Sequence, residues 1–197
     1  MKRYKDASYP PRGKWDQRLT EVACPDLKPV ELLHENEWFA LRNRGGYYTT
    51  EYHQQQVIVL PVVEGRAAVM IRAKRPVLGD STLELPAGCV EDGEAPEAGA
   101  ARELAEETGI AVDASRMMPM PPLAGSPNRI PYLLYVFRVD LSQEEYERRR
   151  PHDDEVESVE LVPLDAIPGL IERGALYVAV PIAVLSTYLL NRQAMKP

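Results

Sequence analysis

Apolar and polar positions along the chain fall into short runs punctuated by glycine and proline, a pattern of strands and short helices. Residues 56–63 and 67–72 are two apolar runs joined through Glu64-Gly65, which predicts a hairpin. Upstream, 37–42 can form a strand that Gly45-Gly46 breaks, and 9–13 (Tyr-Pro-Pro-Arg-Gly) reads as loop. Residues 76–80 read as a loop and 83–85 as a short strand. Further on, 119–131 reads as a proline-rich loop, 132–139 as a strand and 142–150 as a short helix. An acidic turn at 153–155 leads into a strand over 156–162. A helix over 165–173 stops at Gly174, and a last helix follows Pro181. Hairpins mixed with helices predict an α+β layered domain.

One helix carries stronger signals than the rest. Pro96 suits a first helical position, where its missing N–H is not needed, and Gly109 suits the position just past the end. A helix of roughly 96–107 follows. Within it Glu103, Glu106 and Glu107 stand at i, i+3 and i+4 and share one face. Ala98, Ala101, Leu104 and Ala105 form a neighbouring apolar stripe that can lie close against a sheet.

At 197 residues the chain suits one domain with a real core. Its 23 basic against 30 acidic residues leave a net charge of -7. Arg148-Arg149-Arg150 is the only basic run and sits beside Glu144, Glu145 and Glu147, so it reads as a solvated helix end; no nucleic-acid track is expected. Cys24 and Cys89 make no disulfide framework, and no apolar signal core follows the N-terminus. The uncharged run 174–191 contains Pro181 and reads as the approach to a buried helix, not as a membrane span. A soluble, cytoplasmic protein is expected, with neither membrane nor nucleic acid as partner.

The acidic helical face changes this picture most. Each like-charge pair on one turn costs roughly 0.2–0.5 kcal/mol, and a hard cation such as Mg2+, which prefers carboxylate, water and phosphate oxygens, removes that cost. A bare E-x-x-E-E on a helix is more often a solvated face. Here Gly88, Glu94, Arg102 and Gly109 fall into register with it, which favours the metal reading. An acidic chain acting on an anion also needs local positive charge, from metal and a few arginines.

Residues 88–110 match at every defined position the box of the Nudix hydrolases: Gly, five residues, Glu, seven residues, then Arg-Glu-aliphatic-any-Glu-Glu-any-Gly-aliphatic. The chain therefore resembles that family, which implies an α/β/α sandwich with a mixed sheet. It also implies an N-terminal strand extension over 1–50 and a catalytic domain over 51–197. Three features resemble the ADP-ribose pyrophosphatase branch: Arg72-Ala73-Lys74-Arg75-Pro76 feeding Leu83-Glu84-Leu85-Pro86-Ala87-Gly88, Ser126-Pro127 downstream, and the tail from Glu155 through Gly174. Asn128-Arg129-Ile130-Pro131 departs from the glycine and glutamate that many members carry after Ser-Pro.

The resemblance implies hydrolysis of a nucleoside diphosphate sugar to AMP (NMP) and a sugar phosphate, with Mg2+ (or Mn2+) held by Glu103, Glu106, Glu107 and the Ala87 carbonyl. It gives Glu103 and Glu106 catalytic weight and pairs Arg102 with Glu94 in a structural role. It puts the general base at Glu155, with Asp153, Asp154 and Glu157 in reserve. Arg75 is a candidate phosphate or ribose contact, since its fork suits phosphate oxygens, although a surface salt bridge competes with that role. Trp38 and Phe39 are candidates to stack on adenine, and Pro127 to bind substrate. A homodimer completed by the N-terminal strands is implied. His34, His53, His152 and Cys89 read as incidental. The alternatives are another Nudix enzyme, acting on dinucleoside polyphosphates, coenzyme A or nucleoside triphosphates, and a non-catalytic ADP-ribose sensor.

Overall fold

The computed structural model describes residues 17–150 and 154–194. The loop reading of 9–13, together with His152 and Asp153, lies outside the described residues.

A small antiparallel sheet comes first, from β1 (Val30–Glu35), β2 (Phe39–Arg44) and β3 (Tyr47–Tyr52) in that order. Gly45-Gly46 is the two-residue loop of the β2–β3 hairpin, whose register starts at Arg44↔Tyr47. The β1–β2 connection is an Asx turn: Asn36 Oδ1 accepts the N–H groups of Trp38 and Phe39, each at 2.9 Å. The strand expected over 37–42 therefore starts later, at Phe39, because the turn takes the two residues before it. β1 falls in the strand extension implied over 1–50, but the pattern does not place it. All six of its residues are exposed, so it carries no inward-facing period.

The second sheet is mixed and seven-stranded. Its path runs from β10 (Val156–Pro163) through β5 (Ala67–Arg75), β4 (Gln56–Val63) and β9 (Leu134–Leu141) to β8 (Met118–Leu123). β4 and β9 are parallel, from Val57↔Tyr135 to Val63↔Leu141. β4 and β5 pair at Val62↔Ala68 and Val63↔Ala67, next to their hairpin turn. Beyond that point β6 (Asp80–Glu84) takes the β5 edge and β7 (Ala87–Cys89) takes the β4 edge. The chain thus crosses a split in the sheet at Leu85-Pro86, where the Val59 N–H donates to the Pro86 carbonyl at 2.8 Å.

Both faces of this sheet are covered. Val57, Val59 and Val63 pack with Phe137, Ala100 and Leu104 on one side, where α1 (Pro96–Thr108) lies. Ile58, Leu60 and Val62 point the other way, into a core closed by Ile167 of α3 (Ile167–Glu172) and Val184 and Leu185 of α4 (Ala179–Ala194). Double-sided burial explains why β4 is a nearly continuous apolar run. The result is the expected α+β arrangement, a mixed sheet between helical layers.

Three expectations need correction. The proline-rich stretch after 118 is a strand, β8, at the end of the sheet path. Proline is tolerated there because an edge strand leaves alternate N–H groups without a ladder partner. The helix expected over 142–150 is one turn, α2 (Gln143–Glu147), started by a capping box between Ser142 and Glu145. The last helix begins at Ala179, which keeps Pro181 inside its first turn. Among the described residues no helix is long and apolar enough to cross a membrane.

Candidate active site

α1 rests on the sheet through Gly99, Ala100, Leu104 and Thr108. This is a different stripe from the one expected: Leu104 is common to both, Ala101 packs at its margin, and Ala98 and Ala105 are half-buried. Thr108 enters the core because its hydroxyl donates to the Leu104 carbonyl at 2.5 Å, so no polar group is left unpaired. The helix stops at Gly109, in the left-handed conformation with φ 72°. A Cβ there would overlap the backbone of Arg150, whose N–H donates to the Gly109 carbonyl at 2.9 Å.

The buried stripe leaves the acidic face turned toward β7. Glu107 accepts the Ala87 N–H at 2.8 Å. Glu103 lies directly over Gly88: a Cβ at Gly88 would fall inside its carboxylate group, so glycine is required by the close approach. Burial pushes the Glu103 pKa up, with Glu106 adding to the shift and Arg102 opposing it.

Arg102 holds the loop to the helix. Its Nε and Nη2 donate to the two Glu94 oxygens at 3.2 and 3.1 Å, and Nη2 also reaches the Cys89 carbonyl at 2.6 Å. Nη1 donates to Glu103 at 2.9 Å and to Glu106 at 3.0 Å. Glu94 in turn accepts the Glu91 N–H at 3.0 Å, and its pKa is lowered chiefly by Arg102.

This donor set suits a hard divalent cation in chemistry, being oxygen throughout and rich in carboxylates. The oxygens are not gathered round one point. Among the described residues no three His, Cys, Asp or Glu side chains form a ligating group. The reason is visible: Arg102 Nη1 stands between Glu103 and Glu106, while the Ala87 amide engages Glu107. Arg102 holds one oxygen of each, Oε1 of Glu103 and Oε2 of Glu106.

Arg75 makes the competing salt bridge. Its Nε and Nη2 donate to the two Glu84 oxygens at 2.7 and 3.1 Å. The same guanidinium also feels Glu107 and Glu155, and all three carboxylates, Glu84 foremost, raise its pKa. Glu155 is exposed in the turn before β10, one residue ahead of Val156, which pairs with Ala73 near the Arg75 end of β5. Asp154 shares that turn and Glu157 follows in β10; both are exposed. The structure thus brings Ala87, Gly88, Glu103, Glu106 and Glu107 together, and Glu107 and Glu155 each act on the Arg75 guanidinium.

Trp38 and Pro127 stand elsewhere. Trp38 is 65% exposed on the β1–β2 turn, and it is Phe39 that makes ring contacts, with His34 and Tyr52. Pro127 lines a cavity of about 390 Å3 whose walls include Tyr47, Thr49, Arg129 and Tyr132 but none of the box residues. Sequence reasoning missed Glu84 as the partner of Arg75 and Thr82 as the partner of Glu84. Their i, i+2 spacing on one strand face was the available signal.

Residues 52–179 match the family model described as NUDIX domain. The ADP-sugar pyrophosphatase of Mus musculus is 42% identical over 67 residues, 32% of this chain and 31% of that protein, so the match spans about a third of that relative's length. The ADP-ribose pyrophosphatase of Bacillus subtilis (strain 168) is 33% identical over 145 residues, 73% of this chain and 76% of the relative. The crystal structure of an ADP compounds hydrolase superposes with a TM-score of 0.64 at 19% identity, covering 84% of this chain and 93% of the other. At that identity it bears on the fold alone.

Proposed function

The chain belongs to the NUDIX domain family, and from that premise we propose that it is a hydrolase of the pyrophosphate bond in ADP-ribose or a related nucleoside diphosphate sugar. The products are AMP (NMP) and a sugar phosphate. The observation that carries the reading is the acidic face of α1 held against Ala87 and Gly88 in the split of the sheet. The activity named for the Bacillus subtilis relative, which matches most of this chain, supports the substrate class.

Glu103, Glu106, Glu107 and the Ala87 carbonyl are the groups that would hold Mg2+, or Mn2+ in its place. Such an ion, when bound, supplies Lewis-acid charge at the diphosphate and lowers the pKa of a water ligand. The chain's own residues do the rest. Arg102 orients Glu103 and ties Glu94 and the box loop to the helix. Arg75 offers guanidinium N–H groups to a phosphate or ribose oxygen. Glu155 takes the proton of the attacking water, with Asp154, Glu157 and Asp153 as the other acids of that segment.

Trp38 is assigned to the adenine and the Pro127 loop to substrate binding. We assign residues 1–50 to a dimerising extension and 51–197 to the catalytic domain. The exposed side chains of Leu32, Leu33, Tyr47 and Tyr48 on the first sheet support a homodimer. The substrate is a small nucleotide sugar met in the cytoplasm, with no membrane or nucleic acid involved.

A substrate panel tests the reading. With Mg2+ present, the purified protein should release AMP from ADP-ribose and leave nucleoside triphosphates, diadenosine polyphosphates and coenzyme A largely uncut. Faster turnover of any of those compounds would reassign the substrate. Tight ADP-ribose binding with no product would make the protein a sensor.

A further inference from the structure

Arg75 is aimed by a pair of residues that lie behind it. In the β5–β6 register Arg75 stands opposite Asp80, and Thr82 opposite Ala73. The Arg75 side chain does not turn to its direct partner. It folds back along β6, past Thr82, to reach Glu84 at 2.7 and 3.1 Å. Glu84 is the half of the pair that is shielded, with 12% of its side chain exposed against 46% for Arg75. Thr82 is completely buried and donates its hydroxyl to Glu84 Oε1 at 2.5 Å.

The order of hydrogen bonds therefore runs outward: a buried hydroxyl fixes a shielded carboxylate, and that carboxylate grips one edge of an exposed guanidinium. A surface salt bridge between two mobile side chains holds no direction well. This one has a fixed inner anchor. The bend also carries the guanidinium toward Leu85-Pro86-Ala87, where the chain crosses to β7, and into the field of Glu107 and Glu155. Nε and Nη2 are used by Glu84, which leaves Nη1 outside the pair to meet an anion.

We propose that Thr82 and Glu84 are positioning residues, which hold the Arg75 fork so that its Nη1 edge meets the phosphate oxygens of the substrate. The inference rests on the proposed role of Arg75 as a substrate contact. It adds that the role depends on Glu84, whose own negative charge would otherwise repel the diphosphate.

The test is isothermal titration of ADP-ribose in EDTA, where metal-supported turnover is blocked, on the wild type, T82V, T82S, E84Q, R75A and R75A/E84Q. E84Q should weaken binding about tenfold, and T82V about threefold, because a misaimed fork loses a charge-assisted bond. T82S restores the hydroxyl and should bind as the wild type does. In the R75A background E84Q should cost nothing further, the signature of residues that act through one another. With Mg2+ the same factors should appear in KM and leave kcat within about twofold. Melting curves show that each variant is folded, and T82S and R75A/E84Q separate aim from general damage. Wild-type affinity in E84Q and T82V, an equal loss from E84Q with and without Arg75, or no binding by the wild type would overturn the inference. Wild-type binding without AMP release in Mg2+ would instead overturn the proposed hydrolysis and leave the comparison of affinities standing.

Discussion

Glu107 in the last turn of α1 accepts the backbone N–H of Ala87, the first residue of β7, at 2.8 Å. One carboxylate thereby joins the acidic helix to the strand that enters the box, and β7 is itself laddered to β4 from Ile58↔Ala87 to Gln56↔Cys89. The acidic face is held on rigid elements on both sides, which suits a site whose geometry must not drift.

Glu106 is the member of the cluster with least structural work. Its side chain is 50% exposed and its contact in the fold is Arg102, at 3.0 Å. Glu106→Gln should therefore lower turnover by about two orders of magnitude or more, with a melting temperature close to the wild type. Steady-state kinetics beside a thermal melt checks both halves. Near-normal kcat would take this face out of the chemistry.

Gly88 makes a sharper case, because the change is made on the backbone side of the site. A Cβ at position 88 would occupy the space of the Glu103 carboxylate. Gly88→Ala should push Glu103 off Arg102 and reproduce the kinetic defect of Glu103→Gln, at a stability cost of about 1–3 kcal/mol. Kinetics and denaturant melts on both variants make the comparison. A fully active Gly88→Ala protein would mean that Glu103 works from another position.

Much of this was legible in the residues. The α1 boundaries followed from Pro96 and Gly109, and β4 from an apolar run with the length of a strand. What failed, failed for physical reasons. β8 carries three prolines and reads as a loop unless its edge position is known. β1 is exposed throughout, so no burial period announces it. The helix stripe was displaced because Thr108 and Gly99 count as non-apolar in a pattern yet lie buried, one through a bond to its own helix and the other through its size. At the site, spacing alone grouped the carboxylates. The i, i+4 spacing of Arg102 and Glu106 allows their pairing, but that the same guanidinium also holds Glu103 and the Cys89 carbonyl is a three-dimensional fact.

Away from the site, Glu145 offers a stability test with a definite sign. The Arg116 guanidinium beside it, helped by the Ser142 N–H, holds its pKa at about 2 against an ordinary value of 4.5. The folded state thus releases this proton more readily than the unfolded state. The pair's contribution is complete above pH 4.5 and is lost as the pH falls toward 2. Glu145→Gln should lower the melting temperature near pH 6, and the gap from the wild type should narrow steadily below pH 4.5. A gap that stayed constant with pH would show that the charge of Glu145 is not what stabilises the fold.

Glu155 carries the last expectation. It is exposed in the turn before β10, where the Val156↔Ala73 pairing brings the turn to the Arg75 end of β5. Its charge and that of Glu107 both act on the Arg75 guanidinium. A base in that position removes a proton during reaction and does little to hold substrate beforehand. Glu155→Gln should therefore reduce kcat by about 100-fold or more with KM little changed, and should remove the acid limb from the pH profile of kcat. Glu157→Gln and Asp154→Asn, made as companions, should leave kcat near the wild type. If kcat survives in Glu155→Gln and falls in one of the companions, the proton goes to that neighbour. If it survives in all three, no acid of the 154–157 segment serves as the base.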